Sequence, residues 1–297
     1  MTDKPETYGD RLLAFTLPDR HVRGRLVRID GVLETILSAH DYPLPIRNLL
    51  AETLVLAALS GGLLKDDGSQ LTIQAQTDNG IVQLLVCDYR DGELRGYAQF
   101  DEDRLRDAGA DVSLDALFGK GFLAVTFDLA TTQQRYQGIV PLEGNSITAA
   151  FENYFRQSEQ IPTLIRVSVD CGHEPPIAAG LLVQHLAEGE EGRERLHVRM
   201  DHPEWEHVAI IADTVRPDEL IDRALSLEAL LWRLFHEESE IRVDPGAELS
   251  RGCRCTIVHF ENVLARFPSE ERAKMRNDEG IIMVDCAFCS RFFPIQD

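Results

Sequence analysis

Apolar and polar residues alternate along much of the first 190 or so positions, the period expected of strands with one buried face. Residues 12–17, 21–29, 71–77, 81–89, 93–100, 122–129 and 135–141 read as strands, and 164–169 and 177–185 as two more that close the unit. Asp78-Asn79-Gly80 and Asp91-Gly92 separate consecutive runs. Both supply the positive φ that tight hairpins need, so the pattern predicts an antiparallel meander, not βαβ units. Helices interrupt it. Residues 46–64 are mostly apolar and enter behind Pro45, and Ser146 can cap a helix whose apolar face is Phe151, Tyr154 and Phe155. The predicted class is α+β: a large N-terminal antiparallel-sheet domain with helices over residues 1–187, a helical linker region over 188–250, and a small C-terminal zinc-binding module over 251–297.

The first boundary is the charged, glycine-bearing stretch Ala187-Glu188-Gly189-Glu190-Glu191-Gly192. Beyond it the periodicity turns helical. Trp205, Val208, Ile211, Ala212 and Val215 form one apolar stripe, and Leu227, Leu230, Leu231, Leu234 and Phe235 another. At rest these helices are expected to pack on the first domain as a small bundle; the sharper reading makes their stripes conditionally exposed. Asp244-Pro245-Gly246 marks the second boundary.

Charge changes this picture more than bulk composition does. A content of 44% hydrophobic and 27% charged residues is ordinary for a globular protein. The net charge of −20 disfavours nucleic acid as a partner. No run of about 18 apolar residues predicts a membrane span. Met1-Thr2-Asp3-Lys4-Pro5-Glu6 lacks the basic start and apolar core of a secretory signal, so a reducing cytoplasmic setting is expected. Residues 188–250 hold 17 acidic and 7 basic residues, a net of −10, whereas 251–297 hold 7 of each. The linker is therefore expected to repel itself and to unfold more readily than its surroundings.

The chemistry concentrates in the last fifth of the chain. Cys253 and Cys255 are separated by the 30 residues 256–285 from Cys286 and Cys289. Two close pairs of thiolates are what a tetrahedral Zn2+ requires. A 47-residue module has little core, and zinc contributes on the order of 10–16 kcal/mol of apparent binding energy to folding such a unit. Val263, Leu264 and Phe267 suggest a helix between the pairs, and Ile281, Ile282 and Val284 a short strand. Arg251, Arg254 and Arg291 flank the sulfurs and are expected to offset their charge and hold thiol pKa values down. The same sulfurs are two dithiols. A Cys253–Cys255 bond would span one residue, near the limit of disulfide geometry, so it should be easily reduced. Oxidation of either pair removes metal ligands and with them the folding energy of the module. His259 is not needed once four cysteines complete the tetrahedron. Cys87, in an apolar run, reads as a buried inert thiol, and Cys171 with His173 two residues on is a poor nucleophile–base dyad. His185, His197, His202 and His207 show no metal-ligand period.

The cysteine arrangement resembles the heat shock protein 33 family of redox-regulated bacterial chaperones. Tyr136-Gln137-Gly138-Ile139-Val140-Pro141-Leu142-Glu143-Gly144, then Ala149, Asn153-Tyr154-Phe155 and Ser158-Glu159-Gln160, strengthen the resemblance, which covers the whole chain in the same order of parts. The resemblance implies an ATP-independent holdase, not an enzyme. Reduced and inactive, it would hold one Zn2+ through Cys253, Cys255, Cys286 and Cys289. Oxidant plus an unfolding stress would form Cys253–Cys255 and Cys286–Cys289 disulfides and release the metal. The linker would then lose structure, and the protein would bind unfolding clients, commonly as a homodimer. Cys87 and Cys171 inherit no role. Trp205, Ile211, Leu230, Leu231, Leu234 and Phe235, or the sheet face they cover, are the expected client contacts. The alternative is a thiol–disulfide oxidoreductase using Cys286-Ala287-Phe288-Cys289, but such motifs open a helix after a strand in βαβ units, and this sequence predicts none. A zinc-ribbon nucleic-acid binder would need a basic excess that the module lacks. No P-loop motif is found, in keeping with ATP independence.

Overall fold

The computed structural model describes residues 9–77, 79–109, 112–186 and 202–296. The predicted linker start and His197 lie outside them. Strands β1 (Arg11–Leu17) and β2 (Val22–Ile29) precede α1 (Gly31–Leu37), whose first amide donates to the Asp30 carboxylate at 2.7 Å. After α2 (Leu44–Gly61) come β3 (Gln70–Thr77), β4 (Val82–Arg90) and β5 (Glu93–Phe100), the predicted meander. Asp91 (φ 51°) and Gly92 (φ 83°) are both left-handed, the hairpin geometry that Asp-Gly favours. Helices α3 (Glu102–Ala108) and α4 (Leu114–Phe118), capped by Asp101 and Ser113, lead into β6 (Gly121–Leu129) and β7 (Gln134–Pro141). Helix α5 (Ile147–Tyr154) starts where Ser146 Oγ accepts from the Ala149 amide at 3.1 Å, as its sequence predicts. Strands β8 (Thr163–Asp170) and β9 (Ile177–His185) complete this part.

The next region holds α6 (Pro203–Asp213), α7 (Pro217–Leu220), α8 (Leu227–Phe235) and two short strands, β10 (Arg242–Asp244) and β11 (Ser250–Arg251). It is thus not helical throughout. The last part contains α9 (Ile257–Leu264), α10 (Ser269–Met275) and the hairpin β12 (Ile281–Asp285) and β13 (Phe292–Gln296).

Two sheets organise the molecule. One has the order β10-β1-β2-β9-β8 and is antiparallel; the other runs β11-β5-β4-β3-β6-β7, with only β11 parallel to its neighbour. Helix α2 packs against strands of both sheets and joins them in one core with Leu50, Leu54, Val55, Leu71, Ile73 and Leu85. This helix is long and apolar enough to cross a membrane, but 72% of it is buried inside the fold, so it acts here as the central core helix. The first sheet is covered on its other face too. Leu13, Phe15, Leu17, Val22, Leu26, Ala179, Leu181 and Val183 pack beneath Trp205, Val208, Ala212, Leu230, Leu231 and Phe235 of α6 and α8. That double cover explains why every residue of β9 is buried and its sequence does not alternate.

The acidic segment pairs some of its carboxylates with arginines where it docks. Arg11 meets Glu228 at 3.0 Å, Arg20 meets Glu238 at 2.7 Å and also Glu204, and Arg166 meets Asp213. The self-repulsion expected from composition is therefore partly offset by Arg11 on β1, Arg166 on β8 and Arg20 in the turn between β1 and β2. Arg28 is wholly buried and donates to main-chain oxygens of the linker: Nε and Nη2 to Leu220 at 3.0 and 2.7 Å, Nη1 to Leu225 at 2.6 Å.

Candidate metal centre and redox site

The four predicted cysteines converge. Their sulfurs all lie within 4.8 Å of one another, with Cys253–Cys255 at 3.1 Å, Cys253–Cys286 at 3.6 Å and Cys255–Cys289 at 3.5 Å. Zn–S bonds of about 2.3 Å place tetrahedral sulfurs roughly 3.8 Å apart, so the cage fits Zn2+ after shifts of a few tenths of an ångström. An all-thiolate donor set also selects a soft or borderline ion. Among the described residues no other group of His, Cys, Asp or Glu is arranged to hold a metal.

Local structure explains the convergence. The first pair lies on an extended segment that leaves β11 and ends at Thr256, whose side chain caps α9 by accepting from the His259 amide at 3.1 Å. The second pair sits in the turn between β12 and β13. There the Ser290 amide donates to the Cys286 oxygen at 2.8 Å, and Ser290 adopts φ 53°. Cys286 and Cys289 are therefore in a hairpin turn, not at the start of a helix. Beneath the sulfurs the module has a small core of Leu264, Ile282 and Ile295, with Phe260, Val284 and Phe293 around it.

Burial disfavours ionising these thiols, yet hydrogen bonds from Cys255 and the other sulfurs bring Cys253 down to about 7. Cys255 and Cys286 are raised, by burial first and then by the shared sulfur contacts. Of these three thiols, Cys253 is therefore the one that ionises most readily. No arginine is among the main causes of this lowering: Arg251 is half-buried at the end of β11, Arg254 donates to Gln70 on β3, and Arg291 is exposed.

The remaining candidates separate cleanly from this centre. His259 is exposed on α9 against Phe260 and lies outside the sulfur cage. Cys87 is buried in β4, with its pKa pushed well up by burial. Cys171 is pushed up to about 12 by burial, and His173 pairs with Asp170 at 3.0 Å in solvent, so the two form no dyad. His185 stacks near His202 at 4.9 Å beside Trp205. Of the six expected client contacts, Trp205, Leu230, Leu231 and Phe235 are buried against the first sheet, and Ile211 and Leu234 are partly buried there. The exposed apolar residues of the same helices are Ile210 (69%) and Trp232 (62%), which the stripe pattern places on the outer face.

Contacts between the cysteine turn and the sheets carry no sequence signal. Arg95 lies 4.1 Å over the Phe288 ring while holding Asp88 at 2.6 Å, and Tyr97 meets Phe288 edge-on. His40 Nε2 is 2.7 Å from the Ala287 oxygen, and Ser290 Oγ donates to the Ala39 oxygen at 2.6 Å.

Fold and site together define a two-sheet α+β protein, with helices α6 and α8 covering one sheet and a tetracysteine module docked on the other. The chain belongs to the Hsp33 family: the family model described as Hsp33 protein matches residues 10–296. It is 38% identical to the 33 kDa chaperonin of Caulobacter vibrioides (strain NA1000 / CB15N), over 99% of this chain and 98% of that one. Identity to the 33 kDa chaperonin of Cronobacter sakazakii is 31%, over 96% and 91%. The crystal structure of the 33 kDa chaperonin (heat shock protein 33 homolog) from Thermotoga maritima has a similar fold, with a TM-score of 0.76 at 22% identity, covering 97% of this chain and 95% of that one.

Proposed function

We propose that this chain is an ATP-independent holdase chaperone of a reducing cytoplasm, switched on by oxidation. The observation that carries the reading is the cage of four sulfurs within 4.8 Å, placed at the end of the segment that covers the first sheet. Cys253, Cys255, Cys286 and Cys289 would hold Zn2+, which when bound supplies folding energy to a module with only three buried apolar side chains besides its cysteines.

The switching steps belong to the chain's own residues. Each pair of thiolates gives up two electrons to one hydrogen peroxide, which takes two protons from solvent, so that one disulfide and two waters form. With the pairings implied by the family, Cys253 bonds to Cys255 and Cys286 to Cys289. Sulfurs in disulfides no longer serve as thiolate ligands, so the module loses its staple. Linker helices α6 and α8 then leave the first sheet. Trp205, Ile211, Leu230, Leu231, Leu234 and Phe235, with the sheet face beneath them, become apolar surface for unfolding clients, and a homodimer forms on activation. Nucleic acid and membrane are not partners in this reading, and nothing in it requires catalytic turnover. An oxidoreductase reading gains no support from a Cys-x-x-Cys turn inside a hairpin.

The test counts zinc and free thiols before and after peroxide at raised temperature, while following aggregation of an unfolding client by light scattering. One zinc lost together with four thiols, at the point where aggregation is suppressed, is the expected result. Equal protection by the reduced, zinc-loaded protein would overturn the reading. Insulin reduction with turnover would favour the oxidoreductase.

A further inference from the structure

One short segment covers one edge of each large sheet. Residues 242–252 first lay β10 on β1, with Ala14 opposite Asp244, Phe15 opposite Val243 and Thr16 opposite Arg242. The segment then crosses over and lays β11 beside β5. Gly246 (φ 62°) makes the crossing: a Cβ there would lie 2.2 Å from the Leu12 oxygen. The pairing is almost entirely main-chain. Leu12 donates to Ala247 at 3.1 Å, Leu249 to Asp10 at 2.8 Å, Ser250 to Gly92 at 3.0 Å and Gly252 to Leu94 at 2.8 Å. Residues 242–246 are all exposed, and Leu249 is the one apolar side chain of the segment that is buried.

We propose that residues 242–252 are a removable edge strand, and that its departure lets β1 and the start of β5 bind extended backbone of an unfolding client by strand addition. This rests on the oxidative opening proposed above. Three features point to such an occupant. Along β1 the resident strand β10 buries none of its side chains, so that edge suits partners of many sequences. Its Asp-Pro-Gly core is a poor strand former, so a β-prone segment of an unfolding protein should compete well. Its anchor is next to Cys253, so loss of the sulfur cage frees that end of the strap directly. A strand added to β1 would also continue the apolar face of Leu13, Phe15 and Leu17 that the linker helices leave behind.

Hydrogen exchange of the full chain tests this, with reduced, carboxymethylated α-lactalbumin as the client. The Leu12 amide faces the strap, and by the alternation of a strand so do Ala14 and Thr16, while Leu13 and Phe15 face β2. Peroxide oxidation should speed exchange at Leu12, Ala14 and Thr16 by about tenfold or more, and bound α-lactalbumin should slow it again by a similar factor. Leu13 and Phe15 should stay slow throughout. The proposal is overturned if the edge amides remain slow after oxidation, or remain fast in a complex isolated by gel filtration. It is equally overturned if they regain protection without client as protein concentration rises, which would mean that a second copy takes the edge. If oxidation releases no zinc and no complex forms, the redox reading fails and this one with it, a result distinct from complex formation with fast edge amides.

Discussion

Arg28 shows how much one side chain sets the linker's hold. Burial pushes its pKa down, and its guanidinium rests on main-chain oxygens of Leu220 and Leu225, not on a carboxylate. Replacing it with Met keeps the bulk but leaves two carbonyls without their donor, a loss of about 1–3 kcal/mol. Arg28→Met should therefore lower stability by that amount in urea unfolding and speed exchange around Leu220 and Leu225, with zinc content unchanged. An unaltered midpoint would show that water or local rearrangement replaces the guanidinium. Cys286→Ser probes the opposite end of the molecule. Three thiolates and a hydroxyl hold Zn2+ far less tightly, and a core of Leu264, Ile282 and Ile295 cannot fold the module alone. Metal analysis should find the variant largely zinc-free and circular dichroism should show its C-terminal part unfolded; full zinc loading would sink the assignment of ligands.

Elements respond to pH and to backbone freedom. For Glu238, burial opposes ionisation, but hydrogen bonds from Arg20 and His207 win and its pKa is lowered; Arg20 lowers Glu204 as well. A carboxylate with a depressed pKa stabilises the closed linker above the ordinary glutamate value of about 4.5, and that contribution is lost as pH falls through the lowered value. Protection factors in α6 and α8 of the reduced protein, taken relative to the intrinsic exchange rate at each pH, should thus fall below about pH 4.5, and high salt should shift the effect because these pairs are partly exposed. Protection factors that stay constant down to pH 3 would remove the ion pairs from the account. Gly246→Ala tests the strap: a side chain at φ 62°, aimed at the Leu12 oxygen, should displace the crossing and destabilise by about 1–2 kcal/mol, read as a lower Tm without loss of zinc. The helices that the sequence predicts best are those with an N-cap or a periodic stripe, such as α5 behind Ser146 and α8 with its stripe from Leu227 to Phe235. Short α1, α3 and α4 are harder to see because five to seven residues give too little periodicity, although Asp30, Asp101 and Ser113 do cap them.

At the scale of the whole molecule, the linker stands between an apolar sheet face and solvent. Ile210 and Trp232 are exposed in the closed form, and isolated apolar residues of that kind do not make a client surface. Ile210→Ser with Trp232→Ser should leave folding and reduced behaviour unchanged. Leu230→Ser with Leu231→Ser removes buried contacts worth several kcal/mol, so it should open the linker without oxidant and weaken client holding after oxidation, as read by light scattering. Holding equal to the parent protein in the oxidised state would make those leucines packing residues only. By itself the sequence determined the strands of the meander, the central helix, the amphipathic stripes and the two close cysteine pairs, because each is written in local period, turn chemistry or spacing. The tertiary structure alone decided that the strands divide into two large sheets and a separate hairpin, that carboxylates of the acidic segment pair with Arg11, Arg20 and Arg166, that Phe288 docks under Arg95, and that residues 242–252 cover one edge of each large sheet. Those facts join residues up to about 230 positions apart through main-chain bonds and single side-chain contacts, and such pairings leave no period in either partner from which they could be read.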